Sequence, residues 1–240
     1  MQFGFGLGLT HLRPASVNAD PIAGLYGTGM GQIPMHHDPE AAVLDGNGNV
    51  TSIANRGGAG PLFNATASAT GITRTGNLLN ISGPETHLLL AQKADMVGVR
   101  LFFVARADNT SNRYPRILGS MTPQNLARPD MENGGFLFQR AGSNTFLGGS
   151  QPIGLALRLY EVEIAGGVAK TFIDGVPQGQ APCAWADFTV DMIGAAFSVV
   201  GFTGGLGDPL SVVTDGTAAR DGTMLDVRRA LAAKHGITVP

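Results

Sequence analysis

Leu155-Ala156-Leu157-Arg158-Leu159-Tyr160-Glu161-Val162-Glu163-Ile164 is followed by Ala165-Gly166-Gly167 and then by Val168-Ala169-Lys170-Thr171-Phe172-Ile173. Two runs rich in β-branched and aromatic residues, joined across a glycine pair, read as a β-hairpin. Asp174-Gly175 turns the chain again at the end of the second run.

The same pattern recurs in both directions from this hairpin. Residues 50–54, 78–81, 86–91, 117–121, 135–139 and 193–202 read as further short strands. The most apolar segment is Met96-Val97-Gly98-Val99-Arg100-Leu101-Phe102-Phe103-Val104-Ala105. Its length and β-branched content predict a central strand buried on both faces. Asp45-Gly46-Asn47-Gly48-Asn49 is a turn, rich in residues that tolerate positive φ. Roughly ten to twelve short strands in sequence predict a β-sandwich. One helix is expected, starting near Thr223, with Met224, Val227 and Leu231 on one face and Gly236 as its C′ glycine. Gly201-Phe202-Thr203-Gly204-Gly205-Leu206-Gly207 opens no helix and reads as a loop, not as a phosphate-binding motif.

Composition agrees. The 240 residues include 35 glycines and 14 prolines, and only 14% are charged, against about 25% for a typical soluble domain. Helix-rich folds need charged outer faces, so strands and turns are favoured. A net charge of −2 excludes a strongly basic nucleic-acid binder and polybasic attraction to membranes. The single cysteine, Cys183, excludes an internal disulfide and reads as a packing residue. No run of about 18 apolar residues suggests a membrane span. The first residues lack a cationic signal-peptide region, so synthesis without export is expected.

Residues 1–40 are expected to form an N-terminal arm and linker, and residues 41–240 the sandwich. Phe3, Phe5, Leu7 and Leu9 alternate with Gln2, Gly4, Gly6 and Gly8, the period of a strand. An apolar arm of this kind is expected to order against a partner, since an exposed apolar edge is a liability. Pro14 to Pro39 reads as an irregular wrap.

Three stretches together resemble the concanavalin A-like, laminin-G-like β-sandwich domains of tailed-bacteriophage and gene transfer agent virion proteins. They are Asp45-Gly46-Asn47-Gly48-Asn49-Val50-Thr51-Ser52-Ile53-Ala54-Asn55-Arg56-Gly57-Gly58, Phe172-Ile173-Asp174-Gly175-Val176, and Leu231-Ala232-Ala233-Lys234-His235-Gly236-Ile237. In the first, Ile53 stands where the family usually has Trp, and Arg56-Gly57-Gly58 where it has a charged residue before Ser-Gly. The resemblance implies an all-β, concanavalin A-like jelly-roll sandwich with an extended N-terminal arm and one short C-terminal helix. It also implies a non-catalytic virion subunit, assembled in the host cytoplasm as a fibre or spike. Its partners would be other virion proteins, further copies of itself and a host surface glycan. A decoration protein without a receptor is the nearer alternative, and a carbohydrate-active enzyme or lectin the more distant one.

Candidate chemistry is sparse. Glu161 and Glu163 share one strand face, as the acid and nucleophile of a glucanase would. The central Asp of that motif is missing, and a solvated face of an edge hairpin is the plainer reading. His36-His37-Asp38 offers metal-ligand types, but neighbours in a loop seldom chelate one ion. Asp45, Asn47 and Asn49 lack the further acids of a calcium loop. Cys183 and His235 carry no nucleophile signature. No cofactor, metal or enzymatic activity is therefore expected. Candidate glycan contacts are Asp108, Asn109, Asn112 and Tyr114 in one loop, together with Trp185.

Overall fold

The computed structural model describes residues 22–27, 30–82, 85–108, 116–130, 135–148, 154–196, 201–214 and 218–240. They form two antiparallel sheets and one C-terminal helix, the all-β sandwich expected. One sheet runs β15 (Val176–Pro182), β14 (Val168–Ile173), β13 (Arg158–Ala165), β8 (Val99–Ala107), β17 (Gly204–Val213), β6 (Leu78–Ile81), β5 (Ile72–Thr75). The two-residue β1 (Met35–His36) also pairs with β17. The second sheet runs β12 (Ser143–Gly148), β11 (Gly135–Arg140), β10 (Asn125–Asp130), β9 (Leu118–Ser120), β16 (Thr189–Ile193), β7 (Leu88–Asp95), β4 (Ala65–Ala67), β3 (Val50–Ile53), β2 (Ala42–Leu44).

β8 shows why the apolar run is central. Its period of two sends Leu101, Phe103 and Ala105 between the sheets, and Phe102 and Val104 to the outer face of their own sheet. The first set meets Ile53, Leu79, Leu88, Phe188 and Phe202, and Tyr160 stacks on Phe103 at 5.4 Å. The second set meets Met224, Val227 and Leu231 of α1 (Ala218–His235), with Ile22 and Ile33. The molecule thus has three layers, helix on sheet on sheet.

The helix starts five residues before the expected Thr223. Thr223 does not cap it; its hydroxyl donates to Gln32 Oε1 at 2.5 Å, tying the helix to the N-terminal segment. The C-terminus is as expected. Gly236 takes φ +66°, its N–H bonds Ala233 O at 3.4 Å, and Ile237 N–H bonds Ala232 O at 2.8 Å, a Schellman closure.

Three other expectations need correction. Residues 22–27 and 30–40 are not outside the sandwich. Ile22, Ile33 and Met35 are buried, and β1 extends the first sheet. The 201–207 stretch is not wholly a loop, because β17 begins at Gly204 and lies between β8 and β6. Nor does the run 193–202 make one strand: β16 ends at Ile193, and Phe202 N–H returns to Gly194 O at 2.7 Å.

Candidate functional site

Glu161 and Glu163 are not a solvated face. β13 is an interior strand, hydrogen-bonded to β8 and β14, and both carboxylates lie on its helix-facing side. Glu161 is 0% exposed and Glu163 6%. Arg228 of α1 donates from Nε to Glu161 Oε1 at 2.5 Å and from Nη2 to Oε2 at 2.9 Å. Arg100 of β8 donates from Nε to Glu163 Oε2 at 2.8 Å and from Nη1 to Glu161 Oε2 at 3.1 Å. Its guanidinium lies 4.4 Å from the centre of the Phe172 ring. The Glu161 hydrogen bond outweighs burial and holds Arg228 firmly protonated. This is an ionic bolt between helix and sheet. Both carboxylate oxygens of Glu161 carry guanidinium hydrogen bonds, and the group is closed off from solvent beneath the helix.

A second buried cluster surrounds Asp208, a residue with no local motif to mark it. His36 Nε2–H donates to Asp208 Oδ1 at 2.8 Å, and His235 Nε2–H donates to Oδ2 at 2.7 Å. Lys234 Nζ bridges Asp208 Oδ1 at 2.9 Å and Asp38 Oδ1 at 2.8 Å. Tyr26 Oη and His36 Nδ1 share a hydrogen bond of 2.6 Å, and Arg56 pairs with Asp38 at 2.5 Å. Burial raises the Asp208 carboxyl, but hydrogen bonds from His235 and His36 and the charges of His36 and Lys234 bring it well below the ordinary range. Burial likewise opposes ionisation of Asp38, but the hydrogen bond and charge of Lys234 together with the Glu40 N–H hold its carboxyl below the ordinary range.

Local sequence explains the hub. Asp208 takes φ +43°, a left-handed conformation that Asp tolerates, at the irregularity where β17 slips against β8. Gly207 leaves room for the helix end, since a Cβ there would stand 2.6 Å from the His235 ring. The cluster therefore joins β1, β17 and the C-terminus of α1. Lys234 and His235 sit in the last helical turn, where the macrodipole favours cations. His36, His37 and Asp38 do not act together on one ion: His37 turns away to donate from Nε2 to Phe63 O at 2.6 Å. Among the described residues no group of three or more His, Cys, Asp or Glu has metal-holding geometry.

The Asp45 run is a hairpin turn between β2 and β3. Asp45 Oδ1 accepts from Asn47 N–H and Asn49 N–H at 2.8 Å, and Oδ2 accepts from Asn49 Nδ2 at 3.0 Å. Cys183 is buried and free. Phe3, Phe5, Leu7, Leu9, Asn109, Asn112 and Tyr114 lie outside the described residues. Asp108 follows β8 and sits 3.5 Å from Arg106 Nη1 on a half-exposed face. Trp185 is part-buried and stacks on Phe188 at 5.6 Å. Register sets the two apart. Asp108 adjoins the Ala107 end of β8, near Arg158. Trp185 follows Cys183, bonded to Gly167 in the turn beyond Ile164, which bridges to Val97 at the other end of β8.

One open hollow lies at the Asp108 end of the first sheet. It has a volume of about 240 Å³ and is lined by Arg158, Ile173, Asp174, Val176 and Gln178. Arg158 Nη1 pairs with Asp174 Oδ2 at 2.7 Å, and Asp174 Oδ1 accepts from Leu159 N–H at 2.9 Å. Gln178 Nε2 donates to Val176 O at 3.2 Å. The sequence marked Asp174-Gly175 only as a turn. The pairing of Arg158 with Asp174 follows from the register Tyr160↔Ile173, which the hairpin length already contained.

No protein-family model matches the sequence, and no curated protein matches it. Solved structures do. Domain 4 of AbnA, an extracellular GH43 arabinanase of Geobacillus stearothermophilus, aligns over 79% of this chain and 96% of its own, at 13% identity and TM-score 0.51. The Trypanosoma rangeli sialidase aligns over 82% of this chain and 33% of its own, at 11% identity and TM-score 0.56. The binding domain of Paraclostridial Mosquitocidal Protein 1 aligns over 81% and 52%, at 9% identity and TM-score 0.52. The chain thus spans about a third of the sialidase it matches. At these identities the likeness is one of fold, and it agrees with a concanavalin A-like sandwich. The expectation of no enzymatic activity is corrected here: the matching structures include a sialidase and a domain of an arabinanase, so the fold stands among glycoside hydrolases and their parts.

Proposed function

We propose that this chain is a saccharide-contacting β-sandwich of the lectin or carbohydrate-active-enzyme class. The observation that supports it most is the pair of matching structures bound to sugars. Domain 4 of the arabinanase carries arabinotriose, and the sialidase carries sialic acid. Each match extends over about four-fifths of this chain. Screening the full chain on an oligosaccharide array that includes arabinotriose and sialylated glycans tests the reading. Incubating each bound glycan with the protein and analysing the products by mass spectrometry separates binding from cleavage. Saturable binding to a defined group of glycans is expected; an array with no signal above a denatured control would overturn the reading.

A second reading is favoured by the alternation of Phe3, Phe5, Leu7 and Leu9 and by the motif resemblance. In it the sandwich is carried on a virion as a fibre, spike or decoration subunit, docked by its first residues and assembled in the host cytoplasm. Light scattering of the full chain and of a chain lacking residues 1–12 tests the self-assembly it implies. A discrete multimer of the 24.8 kDa full chain that falls to a single, slightly lighter protomer on deletion is expected. The same mass per particle in both forms would remove the arm from self-assembly.

A further inference from the structure

The hollow beside the β14–β15 turn offers polar atoms with no partner among the described residues. Among the described residues, Arg158 uses only Nη1, on Asp174. Gln178 uses only Nε2, on Val176 O, so its carbonyl oxygen is open. Asp174 Oδ2 has one partner and can accept again. Ile173 and the half-exposed Val176 supply an apolar floor between these groups. Behind them Tyr160 faces Ile173 across the strand pair, and its buried hydroxyl makes no hydrogen bond in good geometry, although the Gly154 backbone is near. Buried hydroxyls are seldom left unpaired, and each such case calls for an explanation.

We infer that this hollow is a subsite for a single sugar ring, with a vicinal diol seated on Arg158 and Asp174 and a third hydroxyl on Gln178. The inference rests on the saccharide reading above and gives it a location. A diol presents two groups that each donate and accept. An arginine fork beside a carboxylate presents a donor and an acceptor at matching spacing. The patch of Ile173 and Val176 fits the apolar C–H face of a ring. The volume of about 240 Å³ holds one residue of an oligosaccharide, so the remainder of a longer chain would lie over the rim.

The test uses the full chain, with Arg158→Ala and Gln178→Ala as site variants and Arg74→Ala as a remote control. The strongest glycan from the array is titrated by calorimetry, and melting temperature is recorded for each protein. Arg158 and Gln178 lie at the surface, so both variants are expected to melt within a few degrees of the parent. Each is expected to weaken the glycan at least tenfold, while Arg74→Ala leaves it unchanged. A parent that binds, with site variants that bind equally well, overturns the subsite and leaves the saccharide reading standing. A parent that binds no glycan overturns both. If Arg158→Ala melts much lower, Gln178→Ala alone decides, since its side chain bonds only the local Val176 carbonyl.

Discussion

Burial keeps His37 neutral. Its ring is 0% exposed, its Nε2–H donates to Phe63 O, and Nδ1 has no hydrogen-bond partner among the described residues. Desolvation is the largest influence and lowers its pKa from 6.5 to about 4; the Phe63 bond pulls upward, and the neighbouring His36 adds to the lowering. The unfolded chain therefore takes up this proton between pH 6.5 and about 4, while the folded chain refuses it. Stability is complete above that window and falls as pH drops through it, by about 3 kcal/mol in all. Asp208 and Asp38 act in a lower range, because their depressed folded values keep their contribution until pH falls below the ordinary carboxylate value. Gln can replace the Nε2 donor of His37 without carrying a titrating group. His37→Gln is thus expected to cost about 1–2 kcal/mol at pH 7 and to remove most of the decline between pH 6.5 and 4.5. Urea unfolding at the two pH values checks this. An unchanged pH dependence would assign the decline to other groups.

The helix is held to its sheet by two different means, and only one was legible in the sequence. Met224, Val227 and Leu231 repeat at helical spacing, so their apolar face could be read directly. The ionic bolt could not. Glu161 and Glu163 show the same spacing whether they face water or a helix, and nothing local to β13 says that Arg100 and Arg228 will stand above them. The glycines near 204–207 misled for a related reason. They read as a loop by composition, but the contact that requires Gly207, the His235 ring, arrives from 28 residues downstream in the last helical turn. Asp208 is illegible for the same cause, since its partners come from two distant stretches, His36 near the start of the chain and Lys234-His235 at the helix end. Glu161→Gln separates the two means of attachment. It keeps the volume but leaves the part-buried Arg228 without its counter-charge and Arg100 with Glu163 alone, and breaking one side of a buried pair costs about 3–5 kcal/mol. The expected loss is at the upper end of what one substitution does. Hydrogen exchange is expected to rise first along Val227 and Leu231, before the sheet amides of β8. Uniform acceleration throughout the chain would mean that helix and sheet open together.

At the scale of the whole molecule the question is where the folding unit begins. The composition shift near residue 40 suggested a boundary there, because prolines and glycines crowd residues 14–39. That stretch is irregular in backbone but not loose in packing. Ile22 and Ile33 complete the layer between α1 and the first sheet, Met35 enters the inter-sheet core, and His36 takes one oxygen of Asp208. Gln32 holds Thr223 of the helix, and Val213 N–H bonds Gln32 O at 3.0 Å. Burying three large aliphatic side chains contributes roughly 1.5–3 kcal/mol each. Removing His36 would further leave Asp208 and Lys234 to rebalance a buried charge cluster. Together these terms reach the 5–15 kcal/mol that stabilises a typical domain. A chain starting at residue 22 keeps every one of these contacts and is expected to unfold in one cooperative transition. A chain starting at residue 41 is expected to lose that transition and to expose apolar surface to a fluorescent hydrophobic dye. Cooperative melting of the shorter chain would show that the two sheets suffice without their N-terminal cover, and would return the boundary to residue 40.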